Sequence, residues 1–182
     1  MLWWTAWLVA ARWQVFAMPQ PSPYAGWLHA YVMQYQMLPS FIFGFLLTVF
    51  PKWTGQAEIP RNRYVPVGIG LFGGQVATLL GAMGLSHGVE IGVLLTLFGW
   101  LAGLSALAPL LWRETGTTWH ARSCLAALVM GFAGLLAWTA FVLGGSPLWM
   151  FASSKIGSFG FLLPVYFTGA HRMFPFFAVS AV

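Results

Sequence analysis

The sequence predicts an all-α fold, a polytopic membrane bundle of about six transmembrane helices. Two observations carry this. Of 182 residues, 59% are hydrophobic and only 6% charged, where soluble domains carry roughly 25% charge; mean hydropathy is +0.78. The apolar residues also gather in runs near the roughly 20 residues that cross a bilayer, with turn residues between them. There is no Asp, and the acids are Glu58, Glu90 and Glu114. Such a chain cannot cover a soluble surface. A soluble enzyme, a disordered protein and a nucleic-acid binder are excluded. Eight Lys and Arg against three acids give +5, but these charges sit in short connectors, as orientation signals do. The single Cys124, inside an apolar run, excludes a disulfide scaffold or a paired-cysteine metal site and reads as an inert core thiol.

The first run covers residues 2–18 and is interrupted by Arg12. It lacks the basic start of a cleavable signal and is short for a span. The others cover 26–50, 65–85, 89–112, 122–143 and 147–170. Pro19, Pro21 and Pro23, then Pro51 and Pro60, then Ser86-His87-Gly88, Gly116, and Gly144-Gly145-Ser146 mark the connectors. Both ends fall abruptly beside apolar runs, as expected of part of a longer protein. Lys52, Arg61 and Arg63 separate helices two and three, Arg113 and Arg122 flank the turn between four and five, and Arg172 follows helix six. The alternate connectors have no Lys or Arg. Both termini are therefore expected in the cytoplasm, with His29 and His87 at the outer face and His120 and His171 at the inner face. Gly99-x-x-x-Gly103 permits close approach of two helices. Gly68, Gly70, Gly73 and Gly74 open helix three and imitate a dinucleotide loop only superficially, since no strand precedes them.

Helix two carries the most unusual chemistry. Its segment Trp27-Leu28-His29-Ala30-Tyr31-Val32-Met33-Gln34-Tyr35-Gln36-Met37 places His29, Met33 and Met37 in one row at helical spacing. Imidazole and thioether suit copper, and histidine is a common axial ligand for haem iron. The plain alternative is that Met fills a membrane core and a terminal His bonds to headgroups or a carbonyl. Gln34 and Gln36 are amides in hydrocarbon and must find partners on other helices or a cofactor. Lys155, about two turns into helix six beside Ser153, Ser154 and Ser158, either snorkels or meets an anion such as a haem propionate. His171-Arg172 meets either lipid phosphate or a haem edge, and Pro175 is expected to end or kink the helix. His120 reads as solvated. His87, three residues before Glu90, is a candidate to join His29 in a metal site. Without Asp there is no Ser-His-Asp triad, and no pair of carboxylates is placed for hydrolysis.

The stretch Gly44-Phe45-Leu46-Leu47-Thr48-Val49-Phe50-Pro51-Lys52-Trp53-Thr54-Gly55 resembles the signature of the NnrS family. These are bacterial integral membrane proteins with haem and copper, linked to nitric oxide and nitrosative stress. Members carry a Trp-His-Ala-His-Glu-Met run shortly before it. Ungapped alignment puts the family's first His on His29, its second on Tyr31, its Glu on Val32 and its Met on Met33. One His and the Met remain; the second His and the acid do not. Gly169-Ala170-His171-Arg172-Met173-Phe174-Pro175-Phe176-Phe177 is similar to the family's run at the end of its sixth helix. The two landmarks match the first half of a chain of about twelve helices. The resemblance implies a haem protein of the bacterial inner membrane, with copper as a second cofactor and nitric oxide as a small ligand. His29, Met33, Tyr31, His171, Arg172 and Lys155 are then the candidate cofactor residues, and His29, Met33 and His87 the candidate metal ligands. Half a family fold implies a homo-oligomer or a missing C-terminal half within the lipid bilayer. Whether the chain is an enzyme stays open. Two other readings stand beside this one. The first is a half-size transporter whose discontinuity at Pro39-Ser40 marks a substrate site near Gln34 and Gln36. The second is a truncated member with no activity alone.

Overall fold

The computed structural model describes residues 2–14, 21–112 and 119–179, with side chains among them as far as His171. Arg113, Glu114, Gly116, Pro19 and the side chains of Arg172 to Phe177 therefore lie outside the described residues. Within the described residues every regular element is helical. We number them α1 (Leu2–Trp13), α2 (Ala25–Thr54), α3 (Arg61–Ala82), α4 (Gly88–Trp112), α5 (Trp119–Val142) and α6 (147–179). The last five are long and apolar enough to cross a membrane. At 12 residues, α1 rises about 18 Å, less than the roughly 30 Å hydrocarbon core.

Chain punctuation explains most of the boundaries. Pro51 does not stop α2, contrary to its expected place in a connector. The helix absorbs it and ends at Gly55, whose φ of 64° is the left-handed conformation glycine adopts cheaply. Pro60 then precedes α3, where its missing N–H costs nothing. The α3–α4 turn uses Gly84 and His87, both at positive φ. Ser146 caps α6 by accepting from the Leu148 amide at 3.4 Å. Pro175 does not end α6 either, since the helix continues to Val179.

The tightest pair is α3 with α4, and glycines make it so. A Cβ on Gly70 would collide with the Gly99 backbone, one on Gly74 with Thr96, and one on Gly81 with Gly88 and Val89. Of the glycines that opened helix three in the sequence, Gly70 and Gly74 thus form a packing face against α4, with Gly99 of the Gly99/Gly103 pair opposite, while Gly68 has open space at its Cβ. Gly103 instead admits the ring of Phe43 from α2. The centre of the bundle is aromatic. Tyr31 stacks on Trp138 at 4.8 Å and 7°, while Trp100 meets Phe43 edge-on at 5.2 Å and Phe161 at 5.0 Å. All five of these rings are buried.

One contact bears on the crossing pattern. The Trp4 ring lies 4.9 Å from that of His29, so the start of α1 sits at the same end of the bundle as the start of α2. Six successive crossings would put those two points at opposite ends.

Candidate functional site

Two of the long helices leave α geometry at matching depth. Val32–Met37 in α2 and Ile156–Leu162 in α6 wind as π-helix. Bonding from i to i+5 changes which residues share a face and displaces backbone carbonyls from their usual donors. Both consequences are visible. Tyr31 and Gln36, five apart, come together: Gln36 Nε2 lies 3.2 Å from the Tyr31 hydroxyl. Carbonyls in and beside these segments are taken by side chains, from other helices and, at Ser40, from α2 itself. The Trp100 indole donates to the Tyr35 carbonyl at 2.9 Å. Ser40 at 2.7 Å and Gln75 at 3.2 Å donate to the Gln36 carbonyl. The Tyr35 hydroxyl donates to the Ser153 carbonyl at 2.6 Å, and the Ser153 hydroxyl returns a bond to Tyr35 at 3.2 Å. Gln34 Nε2 donates to Ser158 Oγ at 2.8 Å.

The core of this network is Gln36, fully buried, donating to Thr78 and Thr96 hydroxyls at 2.9 Å each. Thr96 in turn donates to the Gly92 carbonyl at 2.7 Å, and Tyr31 donates to Thr96 at 3.2 Å. Four helices are joined by neutral amides and hydroxyls. Gln36 Oε1 is a buried acceptor left without a partner. The network orients and binds by hydrogen bonding; none of its members is an acid or base in the ordinary pH range.

Around it the sequence-predicted ligands are placed as follows. His29 sits in the first turns of α2, half-buried against Trp4, with its Nδ1 buried and unpartnered. Met33 is half-buried one turn further. The row expected to continue to Met37 is broken by the π winding, which no longer stacks positions four apart. Tyr31 is committed to the core by its two hydroxyl bonds and its stack on Trp138, so its oxygen already has partners where a ligand role would want it open. His87 lies in the exposed α3–α4 turn with Nδ1 4.0 Å from Glu90, and its side chain is 80% exposed. Its neighbour is Glu90, while that of His29 is Trp4. Lys155 is exposed, with its ammonium 5.7 Å from the Phe159 ring centre. Among the described residues no group of three or more His, Cys, Asp or Glu is placed to hold a metal.

His171 is exposed and pairs with a residue the sequence reading left in solvent. Its ring is 5.6 Å from that of His120, with Trp119 against both. The Ser123–Thr168 bond at 3.1 Å, one turn away on each helix, holds α5 and α6 together there. Tyr35 and Ser153 touch; from that level His29 lies about 9 Å toward the start of α2 and His171 about 27 Å toward the end of α6. One bound group cannot be shared by both.

A bundle with five helices long and apolar enough to cross a membrane defines an integral membrane protein. The sequence profile of the NnrS protein family matches residues 1–182, and the chain belongs to that family. No match was found among curated proteins or among solved structures.

Proposed function

We propose that this chain is a haem protein of the bacterial inner membrane, of the NnrS type, acting in nitric oxide handling. Family membership supports the reading, and one observation carries it to a residue: the buried, unpartnered Nδ1 of His29. Buried polar atoms are normally satisfied, and one that is not calls for a missing partner. The residues present fit such a group. Haem, when bound, supplies an iron with a coordination position open to a diatomic gas. His29 would hold it from the outer end of α2, and Trp4 packs against the imidazole and limits its rotation. Met33, one turn on, offers a soft thioether that suits copper. His171 and Lys155 serve lipid or solvent contacts in this scheme. The basic connectors Lys52 to Arg63 face the cytoplasm, as does the end of α6.

Purified chain gives the test. A reduced-minus-oxidised optical spectrum, recorded with and without nitric oxide beside total metal analysis, is expected to show a Soret band that shifts with the gas. His29→Ala is expected to bring haem content to background while circular dichroism stays helical. Unchanged haem in that variant sinks the assignment of His29, and a flat native spectrum with no bound metal sinks the whole reading.

A further inference from the structure

A cavity of about 490 Å³ runs between α2 and α3, from Ser40 at the edge of the polar network toward the α2–α3 connector. Its walls are Phe43, Leu47, Val67 and Leu71. Gly44 and Gly68 face it, and a Cβ on either would meet nothing within 4 Å. The family-like run from Gly44 to Gly55 therefore turns one face to this slot.

The polar groups of the slot are sorted by depth. At the deep end the Ser40 hydroxyl is already used, donating to the Gln36 carbonyl and accepting from Gln75 at 2.8 Å. Midway, the Thr48 hydroxyl donates to the Phe45 carbonyl at 2.7 Å. The inner slot thus has no free donor for a polar head. Uncommitted polarity begins at the mouth, where Lys52, Glu58 and Tyr64 are all exposed. From Ser40 to Lys52 the helix rises about 18 Å, close to the half-thickness of a roughly 30 Å hydrocarbon core. The slot is one leaflet deep, apolar within and polar at headgroup level. The connector at its mouth carries Lys52, Arg61 and Arg63 against Glu58, three cations to one acid. Such a basic pocket between helices favours an anionic headgroup.

We propose that this slot holds one acyl chain of an anionic phospholipid, with its phosphate at Lys52 and Tyr64. Full-length chain in detergent is equilibrated with equal amounts of dioleoyl-phosphatidylglycerol and dioleoyl-phosphatidylcholine, and bound lipid is read by native mass spectrometry. One phosphatidylglycerol per chain is expected, preferred about tenfold over phosphatidylcholine. Gly68→Leu and, separately, Gly44→Leu fill the slot where there is room, and each is expected to lower retention of both lipids about tenfold while circular dichroism stays native. Lys52→Gln is expected to keep a lipid but erase the headgroup preference. Equal retention of the two lipids by the native chain overturns the headgroup assignment. Undiminished retention in a folded filled-slot variant overturns the site, as does recovery of an isoprenoid quinone in place of phospholipid.

Discussion

Replacing Tyr35 by Phe tests whether the paired π segments depend on each other. The ring shape is kept, so the aromatic core around Trp100 is undisturbed. What goes is a hydroxyl lodged between Gly134 and Gly157, with its bond to the Ser153 carbonyl at 2.6 Å and the return bond from the Ser153 hydroxyl at 3.2 Å. Interhelical hydrogen bonds in membranes average about 0.6 kcal/mol and reach about 1.7. The short buried bond belongs near the upper value and the longer one near the mean. The Ser153 carbonyl keeps the backbone amide of Ile156, so removing the phenol strands no acceptor. The sum is a loss of roughly 2 kcal/mol, less if the Ser153 hydroxyl turns to another carbonyl on its own helix. Unfolding in mixed micelles of rising dodecyl sulfate content, followed by tryptophan fluorescence, reads the difference. Adding Ser153→Ala to Tyr35→Phe should cost less than the two single changes together, because the hydroxyl bond is lost only once. A loss below about 0.5 kcal/mol for Tyr35→Phe would mean that the Ile156 amide alone satisfies the Ser153 carbonyl, and the claim that Tyr35 secures the α6 distortion would fall.

Two further outcomes follow from the same geometry. Gly70→Leu drives a side chain into the Gly99 backbone and is expected to cost more than about 3 kcal/mol or abolish folding, whereas Gly44→Ala, with open space at its Cβ, should be neutral or stabilise by up to about 1 kcal/mol; the micelle titration distinguishes them. A membrane-impermeant maleimide is expected to label Ser86→Cys on intact spheroplasts and Arg61→Cys only after lysis, with the native Cys124 silent because it is buried; the opposite pattern reverses the orientation assigned from the basic connectors.

Much of the fold was legible because solvent choice is written in composition. The absence of Asp, the apolar runs and the Pro and Gly punctuation require nothing beyond local chemistry. The demand that Gln34 and Gln36 find partners was equally legible, since an amide in hydrocarbon has no other option. Its solution was not. Nothing in Val32 to Met37 or Ile156 to Leu162 marks a π winding, because each segment is held by donors from elsewhere in the fold: Trp100, Gln75 and Tyr35. Spacing rules written for 3.6 residues per turn therefore carried His29 and Met33 but not Met37. The His120–His171 pair, and Trp4 against His29, join residues about 50 and 25 positions apart through tertiary packing, and no local pattern announces such meetings.

The network and the histidine divide the work of the half of the bundle that holds the start of α2. Among the buried side-chain polar atoms of the network only Gln36 Oε1 lacks a partner, and satisfied polar groups in hydrocarbon specify geometry more than they offer chemistry. His29 is the reverse case, with a free nitrogen, a packed ring and few competing bonds. The two features sit within two turns of each other on α2. Displacing the π segment would rotate Met33 relative to His29 without touching either residue. Variants of Tyr35 and Gln36 should therefore alter the environment of any group held by His29 before they alter its amount. The spectrum of the Tyr35→Phe chain is expected to show a displaced Soret maximum at near-native haem content. Identical spectra would uncouple the polar network from the histidine and leave it a purely structural device.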